Sequence, residues 1–305
     1  MTIVRRPALK VSVMTHVLTL IADPAKPSID QACVQDVAQA LGVRAGSAVW
    51  LADGVAVDLP FDGTDASDAI RVALESRSID AVAQPLAHRR KRLLVADMES
   101  TIIENEMLDE LAEFLGLRAH IAAITARAMN GEIDFAGALR ERVGLLKGLS
   151  VERLGEAAKR IRYMPGAHAL VATMRANGAY CALVSGGFTF FTAMVRATLG
   201  FDEDRANRLL EDGASLTGTV GEPILGKEAK LAALQELAVS RGLHMAQTIT
   251  VGDGANDLPM LQAAGLGVAF HAKPAVASAV GARIDHGDLS ALLYLQGYRR
   301  DEFRA

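Results

Sequence analysis

Two carboxylates, Asp97 and Glu99, follow a short apolar run from Leu93 to Ala96 and precede Ser100 and Thr101. The D-x-E spacing lets a segment turning off a strand aim both acids at one small volume. There, one can attack while the other manages a proton. The same stretch also reads as a strand followed by an ordinary helix cap, with no chemistry. Three later stretches bear on that choice. Val184-Ser185-Gly186-Gly187-Phe188 puts a hydroxyl at a strand end, then glycines whose N–H groups can approach an anion ahead of a helix start; a tight turn would use the same glycines. Lys230, on a helix that also carries Lys227, has the charge to neutralise a phosphate, although helix lysines are usually just solvated. Gly252-Asp253-Gly254-Ala255-Asn256-Asp257 offers two carboxylates and an amide after a strand. Hard oxygen ligands there suit Mg²⁺; the alternative is a solvated turn.

Each stretch needs an element to aim it. Leu93–Ala96, Ala179–Val184, Thr248–Val251 and Gly267–Phe270 read as buried parallel strands. Helices are expected at 167–176, 188–199, 227–239, 258–264 and 274–280, the first ended by Asn177-Gly178. That alternation predicts an α/β fold with a doubly wound parallel sheet, whose chemistry gathers at the carboxyl ends of the strands. Residues 107 to about 161 read as short helices punctuated by Gly116, Asn130-Gly131 and Gly144, with Leu108, Leu111, Ala112 and Leu115 on one apolar face. A helical insertion behind a catalytic strand is placed to act as a lid. Asn207–Leu210 and Ser215–Gly218 read as a small β excursion.

Upstream, strands are expected at 11–21, 48–51, 55–59 and 79–82, with helices at 29–41 and 66–75 and a turn at Asp53-Gly54. The order βαββαβ predicts a ferredoxin-like sandwich, similar in element order to an ACT-type domain. Residues 84–91, Gln84 to Lys91, are expected to be a solvated basic connector.

Half the 305 residues are apolar, which supports a sizeable core, and the net charge of −4 gives no general attraction to nucleic acid or membrane. Cys33 and Cys181 fit no metal spacing or disulfide framework and read as buried thiols of a cytoplasmic protein. Arg5, Arg6 and Lys10 ahead of Val11–Ala22 loosely imitate a signal peptide, but Ser12, Thr15, His16 and Thr19 interrupt the apolar run.

Nucleophilic carboxylate, hydroxyl, lysine and acid cluster, in that chain order, resemble the haloacid dehalogenase superfamily and, more narrowly, its phosphoserine phosphatases. The resemblance covers residues 91 to about 295 and rests on Asp97-Met98-Glu99-Ser100-Thr101, Val184–Phe188, Lys230 and Val251–Asp257. Glu106, Asp134-Phe135, Leu139–Val143 and Leu145–Lys147 resemble the cap of those phosphatases. The resemblance implies a Rossmann-like core over 85–305 with a helical cap at about 107–163, behind an ACT-like domain at 1–84. It implies hydrolysis of O-phospho-L-serine, the last step of serine biosynthesis, through an aspartyl-phosphate. In that scheme Asp97 is the nucleophile and Glu99 the general acid and base. Mg²⁺ is held by Asp97, the Glu99 carbonyl and Asp253. Ser185, Gly186, Lys230 and Asn256 bind the phosphate end of the substrate, with Asp257 in support. Glu106, Phe135 and Arg142 bind the amino-acid end. Glu99 departs from the family, which usually has Asp there; the side chain is longer by one bond, roughly 1.5 Å. Two alternatives stay open: a phosphotransferase delivering to a small alcohol such as homoserine, and a catalytically silent amino-acid-binding regulator. A small-molecule substrate is expected and no nucleic-acid or membrane partner; a homodimer is left open.

Overall fold

The computed structural model describes residues 14–63, 67–129 and 132–305. Residues 11–13 and 66 of the expected elements, and the Asn130-Gly131 break, lie outside them. The first elements are β1 (His16–Ala22), α1 (Gln31–Leu41), β2 (Val49–Ala52), β3 (Ala56–Phe61), α2 (Ser67–Leu74) and β4 (Ile79–Pro85). Asp30 starts α1 by accepting the Cys33 N–H at 2.7 Å, and the Asp53-Gly54 turn joins β2 to β3. All pairings are antiparallel, in the order β2-β3-β1-β4 of a ferredoxin-like sheet. Residues of β1 alternate between two cores. Leu18 and Leu20 pack under α1, while Ile21 joins the larger core of the rest of the chain.

The second sheet begins with β5 (Leu93–Ala96), followed by four helices: α3 (Met107–Glu113), α4 (Arg118–Met129), α5 (Phe135–Gly144) and α6 (Glu152–Ala158). Then come α7 (Ala167–Ala176), β6 (Tyr180–Phe188), α8 (Thr189–Leu199), β7 (Glu203–Asn207), and the hairpin β8 (Leu209–Glu211) and β9 (Leu216–Val220). The remainder is α9 (Lys227–Ser240), β10 (Thr248–Gly252), α10 (Leu258–Ala263), β11 (Leu266–Phe270), α11 (Pro274–Ala277), β12 (Ala282–Ile284) and α12 (Ala291–Leu295). Six parallel strands lie in the order β12-β11-β10-β5-β6-β7. Alternate residues of β5 feed opposite layers: Leu93 and Val95 face α9, while Leu94 and Ala96 face the layer of α7 and α8. The chain leaves β5 for β6 on one side and returns as β10 on the other. This switch point puts a crevice at the carboxyl ends of β5 and β10. Among the described residues no helix is long and apolar enough to cross a membrane.

Several expectations need correction. β6 runs through Ser185, Gly186 and Gly187 to Phe188 and does not turn at Ser185; its register against β7 shifts between Val184 and Phe188. β7, β12 and α12 were not anticipated, and Asn207 ends β7 while the expected excursion is the β8–β9 hairpin from Leu209. Leu115 is 39% exposed, because α3 stops at Glu113 and the apolar face ends with it. The 84–91 segment is exposed over 85–88 but is not a merely solvated connector, because Gln84, Arg89 and Lys91 are anchored. Gln84 Nε2 donates to the Leu295 carbonyl at 2.6 Å. The Arg89 guanidinium donates to both Asp58 oxygens at 2.6 and 2.7 Å, and to the Tyr294 and Leu295 carbonyls at 3.0 and 2.8 Å. Lys91 is buried with its ammonium on the Ala246 carbonyl at 2.8 Å, and burial lowers it to about 8. Arg90 pairs with Glu302 at 2.6 Å and lies over the Tyr298 ring.

Candidate active site

Asp97 is the first residue past β5. Its N–H donates to the Val251 carbonyl at 3.0 Å, extending the β5–β10 ladder by one rung, so the two acidic segments leave the sheet side by side. One carboxylate oxygen, Oδ1, accepts the Met98 N–H at 2.8 Å and lies 2.7 Å from Lys230 Nζ. The other has no hydrogen-bond partner among the described residues. Lys230 projects from α9, is 3% exposed, and also donates to Asp257 Oδ1 at 2.5 Å. The second Asp257 oxygen accepts the Gly254 N–H at 3.0 Å. Gly252 must be glycine here, since a Cβ would strike the Asp257 carboxyl group.

Asp253 stands beside them, with Thr101 Oγ1 donating weakly at 3.4 Å. Oxygens of Asp97, Asp253 and Asp257 lie within 4.8 Å of one another. Burial first, then the Asp257 charge, push Asp97 up to about 7 despite Lys230, and push Asp253 up to about 6. Burial alone would lower the Lys230 ammonium, but Asp97 and Asp257 outweigh it and hold the group above its usual value. Asp257 is committed to Lys230 and a backbone N–H, which leaves the Asp97 and Asp253 carboxylates as the available hard donors. That donor set fits a small divalent cation that keeps several waters and takes one or two carboxylates.

Glu99 meets this group from the side. Its Oε1 accepts the Met107 N–H at the start of α3 at 2.8 Å. A Cβ on Gly187 would lie 3.0 Å from Glu99 Oε2 and 3.1 Å from Ser185 Oγ, so both functional groups border Gly187, and a side chain there would crowd them. Burial, then the Glu106 charge, push Glu99 up to about 8. The chain makes this turn with Ser100 at φ +54°, while Ile102 and Ile103 donate to the Met98 carbonyl. Ser185 is buried, and its Oγ accepts the Gly187 N–H at 2.9 Å.

The helices after β5 supply the opposite wall. Phe135, 38% exposed, places its ring 3.2 Å from where a Gly186 Cβ would lie. Glu106 is exposed and accepts from Ser100 Oγ at 2.8 Å. Arg142 is half-buried and donates to the Ala138 carbonyl at 3.2 Å and Thr125 Oγ1 at 3.3 Å, in the field of Glu99, Glu106 and Asp109. A cleft of about 650 Å³ opens between Ile133, Asp134 and Phe135 on one side and Gly226, Lys227 and Asn256 on the other. Asn256 Nδ2 reaches Asp257 Oδ1 only at 3.5 Å.

Three contributors escaped the sequence reading. Thr101 touches Asp253; its place inside the D-x-E-S-T run was an available signal. Asn207 bonds the Gly186 carbonyl and both the Leu225 N–H and carbonyl, joining the end of β6 to the segment before α9. The Met107 N–H fixes Glu99. Neither of these last two has a sequence signal, because both depend on where distant backbone passes.

Residues 94–262 match the sequence profile of haloacid dehalogenase-like hydrolases. The chain is 42% identical over 220 residues to a phosphoserine phosphatase of Mycobacterium tuberculosis, covering 72% of this chain and 54% of that protein. It therefore spans about half the length of that relative. It is 44% identical over 203 residues to a phosphoserine phosphatase of Lactococcus lactis, covering 67% of this chain and 94% of the relative. A solved structure described as a phospho-aspartyl intermediate analogue of phosphoserine phosphatase superposes with a TM-score of 0.63 at 38% identity, over 67% of this chain and 98% of its own. With the parallel sheet and the acidic crevice at its switch point, these matches place the chain in the haloacid dehalogenase-like hydrolase family, in the branch of the phosphoserine phosphatases.

Proposed function

We propose that the chain is a Mg²⁺-dependent phosphoserine phosphatase that works through an aspartyl-phosphate on Asp97. The observation that carries this reading is the buried Asp97, clustered with Asp253 and Asp257, with one oxygen held by Lys230 and Met98 N–H and the other without a hydrogen-bond partner among the described residues. A carboxylate with one oxygen restrained and one oxygen available is set up as a nucleophile. The solved relative described as a phospho-aspartyl intermediate analogue supports the same chemistry.

In this reading Asp97 Oδ2 attacks phosphorus, and the bond from phosphorus to the serine oxygen breaks. Glu99, next to Ser185 across Gly187, gives its proton to that oxygen. A water then attacks the aspartyl-phosphate, passing its proton to Glu99, and phosphate leaves. Ser185 Oγ, the Gly186 backbone and Lys230 hold the phosphoryl oxygens, with Asn256 at the cleft rim. Asp97, the Glu99 carbonyl and Asp253 would hold Mg²⁺, which when bound supplies charge to offset that of the phosphate. Asp257 keeps Lys230 in place. Arg142 pairs with the substrate carboxylate and Glu106 with its ammonium, a combination selective for a zwitterion. Phe135 closes over the site above Gly186.

The names of the relatives favour hydrolysis over transfer to a second alcohol. The deciding experiment is phosphate release from a panel of phosphomonoesters, with Mg²⁺ and with EDTA. Phosphoserine should be the best substrate and EDTA should stop release. A flat panel, or full activity in EDTA, would defeat the proposal.

A further inference from the structure

Asp80 belongs to β4 in the N-terminal sheet and is 5% exposed. Its carboxylate accepts three successive backbone N–H groups from a turn some 205 positions further along the chain: Asp285 at 2.8 Å, His286 at 3.1 Å and Gly287 at 2.8 Å. Three N–H donors on one buried carboxylate hold the turn after β12 in a single shape. That turn in turn holds His271. The Gly287 carbonyl lies 2.9 Å from His271 Nε2, and the His271 N–H donates to the Ile284 carbonyl at 2.8 Å. His271 sits at φ +43°, a left-handed conformation uncommon for a residue with a side chain, so these bonds keep it there. His271 also opens the short segment that leads to Lys273, whose N–H donates to the Asp253 carbonyl at 3.3 Å. A continuous set of bonds thus runs from the N-terminal sheet to the backbone of Asp253.

We propose that Asp80 is a positioning residue for the cation site: acting through the 285–287 turn and His271, it sets the 271–273 segment against Asp253. The inference rests on reading Asp253 as a cation ligand. The Arg89 fork supplies the contrast. It also ties the N-terminal sheet to the rest of the chain, through Asp58 on β3 and the Tyr294 and Leu295 carbonyls of α12, but none of these residues bonds to the 271–273 segment.

The test is titration of the full-length protein with Mn²⁺ alone, followed by the EPR signal of free Mn²⁺, alongside melting temperatures. Asp80→Asn keeps one acceptor oxygen and turns an amide toward the N–H groups. It should bind Mn²⁺ about tenfold more weakly, the low end of the loss expected for an outer-shell partner. His271→Asn suits the left-handed backbone, is too short to reach Gly287, and lies at an exposed position, so it should fold and bind Mn²⁺ more weakly as well. Arg89→Lys should lower the melting temperature and leave Mn²⁺ affinity unchanged. If Asp80→Asn does not fold, His271→Asn decides. Unchanged affinity in His271→Asn, or a loss in Arg89→Lys equal to that in Asp80→Asn, would overturn the proposal and reduce Asp80 to a docking contact. Wild-type protein that binds no Mn²⁺ would overturn the cation reading, and this inference with it.

Discussion

The two walls of the crevice are built differently. On the sheet side, Asp97, Lys230 and Asp257 are buried and joined at 2.7 and 2.5 Å, with further backbone N–H groups on both acids. On the helical side, Glu106 is exposed, Phe135 is 38% exposed, and Arg142 is held by long bonds of 3.2 and 3.3 Å. The sheet wall holds its reacting groups in one geometry, as a nucleophile requires. The helical wall keeps its charges half in water with few fixed partners, which suits groups that must release and regain a substrate. On the proposed reading, chemistry belongs to the first wall and choice of substrate to the second.

Four substitutions probe that division, in falling order of expected effect. Asp97→Asn keeps an oxygen for Lys230 and Met98 but cannot attack phosphorus. Phosphate release should fall to background while the melting temperature holds, and turnover near wild type would remove Asp97 from the role. Lys230→Met leaves two buried carboxylates facing each other without their cation. Breaking a buried pair this way costs about 3–5 kcal/mol, so urea unfolding should shift strongly and activity should be lost. A stable, active variant would mean that the sheet wall is not locked by this ion group.

Glu99→Gln removes the proton donor and should slow release of serine in a single turnover by about 10²–10⁴-fold. The slowing should be much smaller for p-nitrophenyl phosphate, whose leaving group needs little protonation. Equal slowing for both would assign Glu99 to the loop or the cation instead. Arg142→Ala acts mainly on the helical wall, with the loss of one positive charge near Glu99. A charge-assisted hydrogen bond is worth about 1.5–3 kcal/mol, so KM for phosphoserine should rise roughly tenfold to a hundredfold, with the KM for p-nitrophenyl phosphate unchanged. A matching rise for both substrates would erase the distinction between the walls.

The sheet wall was legible in the sequence because each of its residues follows a short apolar strand or sits on the helix behind one. Leu93–Ala96 and Thr248–Gly252 announce themselves by composition, and Asp97 and Asp253 come next. Less legible was the path of β6 through Ser185–Phe188, since paired glycines look like a turn whether or not the strand continues. Illegible altogether were β12 and α12. They span Ala282–Ile284 and Ala291–Leu295, too short for any period to register. The basic run from His88 to Lys91 misled for a different reason. Whether an arginine is solvated depends on what passes nearby, and the partners of Arg89 lie 31 and 206 positions away. The orientation of Glu99 was hidden likewise, because it is set by the N–H of Met107.

The Arg89 fork has a consequence for the order in which the protein is made. Asp58 and Arg89 leave the ribosome close together, so the N-terminal sheet can hold its arginine early, as domains generally fold in sequence during synthesis. The Tyr294 and Leu295 carbonyls that take the remaining guanidinium N–H groups, the second of which also accepts from Gln84, are translated some 200 positions later. Until then these donors face water, and the face of the sheet that carries Thr19 and Asp58 waits uncovered. A nascent chain stalled before α12 would therefore carry an unfinished joint at Gln84 and Arg89, and emergence of α12 would be the event that closes it.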